Sequence, residues 1–137
     1  MKNIFTILAL TIVFSVNAQD FWFQGTLSNA IQTANATASG STSTAMGYET
    51  TASGFASTAM GRSTTASGYY STAMGYSTRA SGSQSSAIGS FTTASGSDST
   101  AMGQGTNASG SNSTAMGSGT IASDFGSLVI GQYNSSG

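Results

Sequence analysis

Small residues recur every seven positions along most of the chain. Alanine stands at 38, 45, 52, 59, 66, 73, 80, 87, 94, 101, 108, 115 and 122 without a slip. Glycine follows two residues later at 40, 47, 54, 61, 68, 75, 82, 89, 96, 103, 110 and 117, and again at 131. The residue between them alternates. It is Ser at 39, 53, 67, 81, 95, 109 and 123, and Met or Ile at 46, 60, 74, 88, 102, 116 and 130. The repeat is therefore 14 residues long, with the unlike halves S-T-A-M-G-x-x and T-x-A-S-G-x-x, and it runs from about residue 36 to residue 137.

A seven-residue period is also the signature of a coiled coil, whose seam needs apolar residues at two positions per heptad. Here one position is a small Ala and the second is apolar only in alternate units. Gly also follows twelve of the thirteen Ala, and each costs about 1 kcal/mol relative to Ala in a helix. These penalties exclude the helix. Strands and turns fit instead, because side chains of an extended segment alternate between faces. In Ser43-Thr44-Ala45-Met46-Gly47, Ser43, Ala45 and Gly47 share one face while Thr44 and Met46 share the other. Gly47 permits positive φ as the chain turns through Tyr48-Glu49. Thr50-Thr51-Ala52-Ser53-Gly54 then repeats the alternation. Two strands and two turns make one coil, and coils stacked about 4.8 Å apart form parallel ladders. The expected fold is an all-β parallel roll of about seven such coils, roughly 35 Å long.

The two outward faces differ. One, with Thr51/Ser53, Thr65/Ser67, Arg79/Ser81, Thr93/Ser95 and Asn107/Ser109, is polar. The other presents Met46, Met60, Met74, Ile88, Met102, Met116, Leu128 and Ile130. An interior filled by Ala, Ser, Thr and Gly has no room for Met, so these residues point outward as an apolar stripe. Such a stripe is a liability on a monomer. Association through it, in closed symmetry, is the expected remedy.

Composition narrows the chemistry. Charged residues make up 5% of the 137, the net charge is −1, and there is no His and no Cys. No basic patch is available for nucleic acid. No thiolate or imidazole is available to hold a metal or serve as a base. The scattered acidic residues Asp20, Glu49, Asp98 and Asp124 form no acid/base pair. The expectation is a non-enzymatic protein without cofactor or metal. At the N-terminus, Lys2 precedes the apolar run Ile4 to Val16 and the small-residue site Val16-Asn17-Ala18. This is the pattern of a secretory leader over 1–18, cleaved after Ala18. Cleavage leaves two arginines against four carboxylates, a net charge of −2.

The pairs after each Gly are the variable positions. They form two ridges of turns, one with Phe55, Tyr69 and Tyr70, the other with Tyr48, Arg62, Tyr76 and Phe91. Exposed aromatics at turns suit contact with protein or glycan. Residues 19–35 lack the repeat but carry Phe21-Trp22-Phe23, Leu27 and Ile31. Solenoids need protected ends, so this segment is expected to cap the first coil.

The 14-residue unit resembles the head repeat of YadA-like trimeric autotransporter adhesins. Ser127-Leu128-Val129-Ile130-Gly131 is similar to that family's S-V-A-I-G motif. The resemblance implies a left-handed parallel β-roll, a homotrimer, and display outside the outer membrane of a Gram-negative bacterium. It also implies adhesion to host matrix proteins or to cell-surface glycans. Met stands for the usual Ile in five coils, and Asp124 replaces a repeat Gly. The stalk and C-terminal membrane anchor of that family are not recognisable before Gly137, so membrane attachment is expected only through a missing anchor on a truncated chain. Two other readings remain open. One is a structural fibre or spacer segment, similar to a phage tail fibre. The other is an ice-binding solenoid, which the Thr file at 51, 65 and 93 favours and which Arg79, Asn107 and Ile121 interrupt.

Overall fold

The computed structural model describes residues 23–24 and 30–136. Its strands, in chain order, are β1 (Phe23–Gln24), β2 (Ile31–Gln32), β3 (Ala36–Ala38), β4 (Thr44–Tyr48), β5 (Thr50–Ala52), β6 (Thr58–Arg62), β7 (Thr65–Ala66) and β8 (Thr72–Tyr76). They continue as β9 (Arg79–Ala80), β10 (Ser86–Ser90), β11 (Thr93–Ala94), β12 (Thr100–Gln104), β13 (Asn107–Ala108), β14 (Thr114–Ser118), β15 (Ile121–Ala122), β16 (Leu128–Gln132) and β17 (Ser135–Ser136). The chain alternates between two sheets. One runs β1-β2-β4-β6-β8-β10-β12-β14-β16 and the other β17-β15-β13-β11-β9-β7-β5-β3. From β3 and β4 onward, pairing within each sheet is parallel and shifted by one repeat, as in Ala59↔Ala73 and Met60↔Met74. The protein is an all-β parallel solenoid with two short strands per 14-residue coil.

The interior explains the composition. Ala38 and every repeat Ala from 45 to 122 are fully buried. Ser43, Ser57, Ser71, Ser85, Ser99 and Ser113 are buried on one side, and Thr50, Thr64, Thr78, Thr92, Thr106 and Thr120 on the other. The largest fully buried side chains are those threonines. In the repeat coils up to Ala122 the space between the sheets therefore holds nothing larger than Thr, and the methionines stay outside it. Val129 occupies the Ala column in the last coil.

The two glycine files are required for different reasons. At Gly61 the backbone has φ 118°, and a Cβ would lie 2.1 Å from the carbonyl oxygen of Gly75. At Gly54 no positive φ occurs, yet a Cβ would lie 2.0 Å from the carbonyl oxygen of Gly68. The first file needs glycine's backbone freedom and its missing side chain; the second needs only the missing side chain.

The secretory-leader segment and the cleavage position Ala18 lie outside the described residues. The segment expected to cap the first coil divides into two parts. β1 runs antiparallel along the outer edge of β2, covering that edge of its sheet. β2 already pairs in parallel with β4, Ile31 with Thr44 and Gln32 with Ala45. The roll thus begins before the repeat motif does. Gln32 stands in the Ala register, and its side-chain oxygen accepts a hydrogen bond from the Ala38 N–H at 2.8 Å.

Candidate functional site

Among the described residues the interior is filled by Ala, Ser and Thr, and the surfaces open to a partner are the outer face of the longer-stranded sheet and the two corners that flank it. That face carries Met46, Met60, Met74, Ile88, Met102, Met116 and Ile130 in one in-register file. At the inter-strand spacing of parallel ladders the file is roughly 29 Å long. Most of these side chains are half-buried by their neighbours, while Met74 is 36% exposed. Leu128 and Ile130, on the last strand, are the most exposed, at 66% and 58%. The stripe foreseen from the sequence is therefore present, unbroken and outside the roll.

The corners follow each strand's Gly. At one corner Tyr48, Arg62 and Tyr76 stack coil upon coil. The Arg62 guanidinium lies 5.7 Å from the ring centres of both tyrosines, a cation between two π faces. Phe91 meets Tyr76 edge-on at 5.2 Å. Ser63 donates a hydrogen bond to the Glu49 carboxylate one coil earlier at 3.2 Å. At the opposite corner Phe55 stacks on Tyr69 at 6.2 Å and meets Tyr70 edge-on at 5.5 Å. All seven turn residues singled out in the sequence fall into these two clusters, and all are exposed. The clusters do not merge: they sit at opposite ends of the strands, one before β8 and one after it.

Two features escaped the sequence reading. The second residue of each turn is left-handed: Ala56, Tyr70, Gln84, Phe91 and Asp98 have φ between 50° and 56°. Its N–H bonds a carbonyl one coil back, as Tyr70 does to Phe55 at 2.8 Å. Gly105, Gly119, Gly126, Asp98 and Asn112 at this position were the available signal. The second feature is a file of buried hydroxyls without partners, on Thr50, Thr64, Thr78, Thr92, Thr106 and Thr120.

The polar sheet face presents Thr51, Thr65, Thr93 and Asn107 half-buried, with Arg79 and Ile121 exposed within the file. Among the described residues no cluster of His, Cys, Asp or Glu is placed to hold a metal ion. No helix among them is long and apolar enough to cross a membrane.

The YadA head domain repeat family model matches seven overlapping stretches: residues 34–50, 38–64, 52–78, 66–92, 80–106, 94–120 and 108–134. The chain belongs to this family. The matched span takes in almost every coil of the roll and both aromatic corners. A comparison with curated proteins found no match.

Proposed function

We propose that this YadA-type roll is the head of a non-enzymatic cell-surface adhesin that works as a homotrimer. The observation that carries the reading is the family repeat held in register over residues 34–134, with an apolar face that one chain leaves uncovered. Burying one Met side chain is worth roughly 1.5–3 kcal/mol. A file of such residues is ample to hold copies together, and closed rotational symmetry covers it on every copy at once. Assembly about an axis parallel to the roll then leaves the polar sheet and the outer parts of the corners facing solvent.

The reading places the head outside the outer membrane, exported through the N-terminal leader, with host matrix proteins or cell-surface glycans as partners. No catalytic chemistry is assigned. Tyr48, Phe55, Arg62, Tyr69, Tyr70, Tyr76 and Phe91 are the contact residues it favours, since rings at turns offer contact area with little side-chain entropy to lose. The test is saturable retention of the labelled, purified chain on cell monolayers, matrix-coated surfaces and glycan arrays. Binding that falls in the Tyr48→Ser/Arg62→Ala variant supports the reading. A protein that binds none of these surfaces and instead shows thermal hysteresis would be an ice binder, and the adhesin reading would be abandoned.

A further inference from the structure

Positive charge is concentrated at one place on the roll. Among the described residues the cations are Arg62 and Arg79, set against Glu49, Asp98 and Asp124. Arg62 ends β6 at the Tyr48 corner, and Arg79 opens β9 in the next coil, just past the same corner. Arg62 pairs with Tyr76 across the ladder, and Tyr76 stands three residues before Arg79. The strand spacing and the reach of that short segment put the two arginine Cα atoms no more than roughly 12 Å apart. Asp98 and Asp124 lie in turns of the opposite corner. Glu49 is on the same corner, but its carboxylate accepts from the Ser63 hydroxyl.

The roll itself needs neither arginine. The position of Arg62 is Ser90 in β10, Gln104 in β12 and Ser118 in β14, with the same pairing. Arg79 stands where Thr65 and Thr93 stand in the neighbouring coils, and it is exposed where they are half-buried. Arg62 is held by rings, with its guanidinium 5.7 Å from the centres of Tyr48 and Tyr76. Stacking occupies the two faces of the guanidinium and leaves its in-plane N–H groups for an acceptor, the geometry by which Arg takes a carboxylate through two parallel bonds. Phe91 stands perpendicular to Tyr76 and is 57% exposed. Ring surface therefore lies open two coils, or roughly 10 Å, from the cation.

We infer that this corner binds a short glycan ending in one carboxylated sugar, with the carboxylate on Arg62, Arg79 beside it, and neutral sugars against Tyr76 and Phe91. It rests on the adhesin reading above and names the ligand of that reading's Tyr48 corner. Charge decides the size of the ligand. A polyanion would extend past the two arginines along a surface whose remaining charges are negative, and would gain nothing there. Shape decides its class. The corner is a convex ridge of turns that offers rings and the hydroxyls of Ser63, Ser77 and the tyrosines, which suit the C–H face and hydroxyls of a sugar. A peptide partner would call instead for a pocket to bury its anchor side chains.

The experiment is isothermal titration calorimetry of the full chain with sialyllactose, a glucuronate-terminated disaccharide, neutral lactose, heparin and a polyglutamate peptide. One of the two acidic sugars is expected to bind about tenfold more tightly than lactose, in keeping with one charge-assisted contact, and the tighter one tells which acid the corner takes. Arg62→Gln and Arg79→Thr copy Gln104 and Thr65 from equivalent positions, so the β circular dichroism is expected to be unchanged. Arg62→Gln is expected to abolish the preference for acid, and Arg79→Thr to reduce it about threefold. Arg62→Lys is expected to keep only part of it, because an ammonium cannot make the paired bonds. Equal binding of lactose, no binding of either acidic sugar, tighter binding of heparin or the peptide, or a preference that survives Arg62→Gln overturns the assignment. Retention on cells that persists in any of those cases overturns the acidic-glycan site alone and leaves the adhesin reading standing. A chain that takes no sugar and is retained on no cell or matrix surface overturns both.

Discussion

At the Phe55 corner the carbonyl of Gly68 accepts two hydrogen bonds from Ser71, from its N–H at 3.3 Å and its hydroxyl at 2.7 Å. At the Tyr48 corner of the same coil the Thr78 hydroxyl is buried and has no partner. The contrast recurs in four further coils and lapses at Ser113, whose buried hydroxyl also lacks a partner. Ser43, Ser57, Ser85 and Ser99 bond the Gly carbonyls three residues back, while Thr50, Thr64, Thr92 and Thr106 bond nothing through their hydroxyls. The Ser corner is fixed by a local turn. The Thr corner relies instead on Gly in a conformation other residues rarely adopt, while at both corners an N–H reaches the previous coil, as Ser77 does to the Arg62 carbonyl at 2.9 Å and Tyr70 to the Phe55 carbonyl at 2.8 Å. Both corners lean on the coil before them, and the Ser corner adds a bond within its own coil. This is the nearest-neighbour logic of solenoids, expressed at the level of single hydroxyls.

The largest expected effect comes from attacking the Thr corner's glycine file. In Gly75→Ala the new Cβ would lie 1.9 Å from the Gly89 carbonyl oxygen, at φ 122°. A loss of roughly 3 kcal/mol or more is expected, read as a fall in the denaturation midpoint. Gly105→Ala separates strain from collision, since its φ is 61° and the nearest atom lies 4.0 Å away. It is expected to cost only about 1 kcal/mol, by the same measurement.

Next in size is the contrast between hydroxyls. Ser71→Ala removes a made hydrogen bond and is expected to destabilise by about 1 kcal/mol. Thr78→Val removes an unmade one and is expected to be neutral or to stabilise by up to about 1 kcal/mol. Opposite signs in paired urea titrations sharpen the distinction between the corners; equal losses would break it. The smallest effect concerns Arg62→Ala, which frees Tyr48 and Tyr76 from the cation between them. An exposed cation–π stack contributes about 0.5–1 kcal/mol, so the thermal midpoint is expected to shift only slightly.

Much of this was legible in the order of residues. A strict Ala column every seven positions dictates a narrow interior. The alternation of Met and Ser between Ala and Gly dictates two unlike outer faces, because side chains of a strand alternate. The turn clusters were also readable, since Tyr48, Arg62 and Tyr76 are fourteen residues apart and one coil is fourteen residues long. Two things were not. The sequence treats Ser43 and Thr50 as the same small polar residue, and only the backbone path shows that one hydroxyl reaches a carbonyl and the other does not. The start of the roll was hidden because β2 is held by backbone pairing to β4, and that pairing needs no particular side chain.

The outward methionines connect fold to function, and solution mass tests them most directly. Light scattering on the purified chain is expected to report the mass of three copies. The same measurement on Met74→Glu/Met102→Glu is expected to report one copy, with the β circular dichroism retained. A parent protein that remains a single chain at high concentration, or a doubly substituted one that still assembles, would contradict the account.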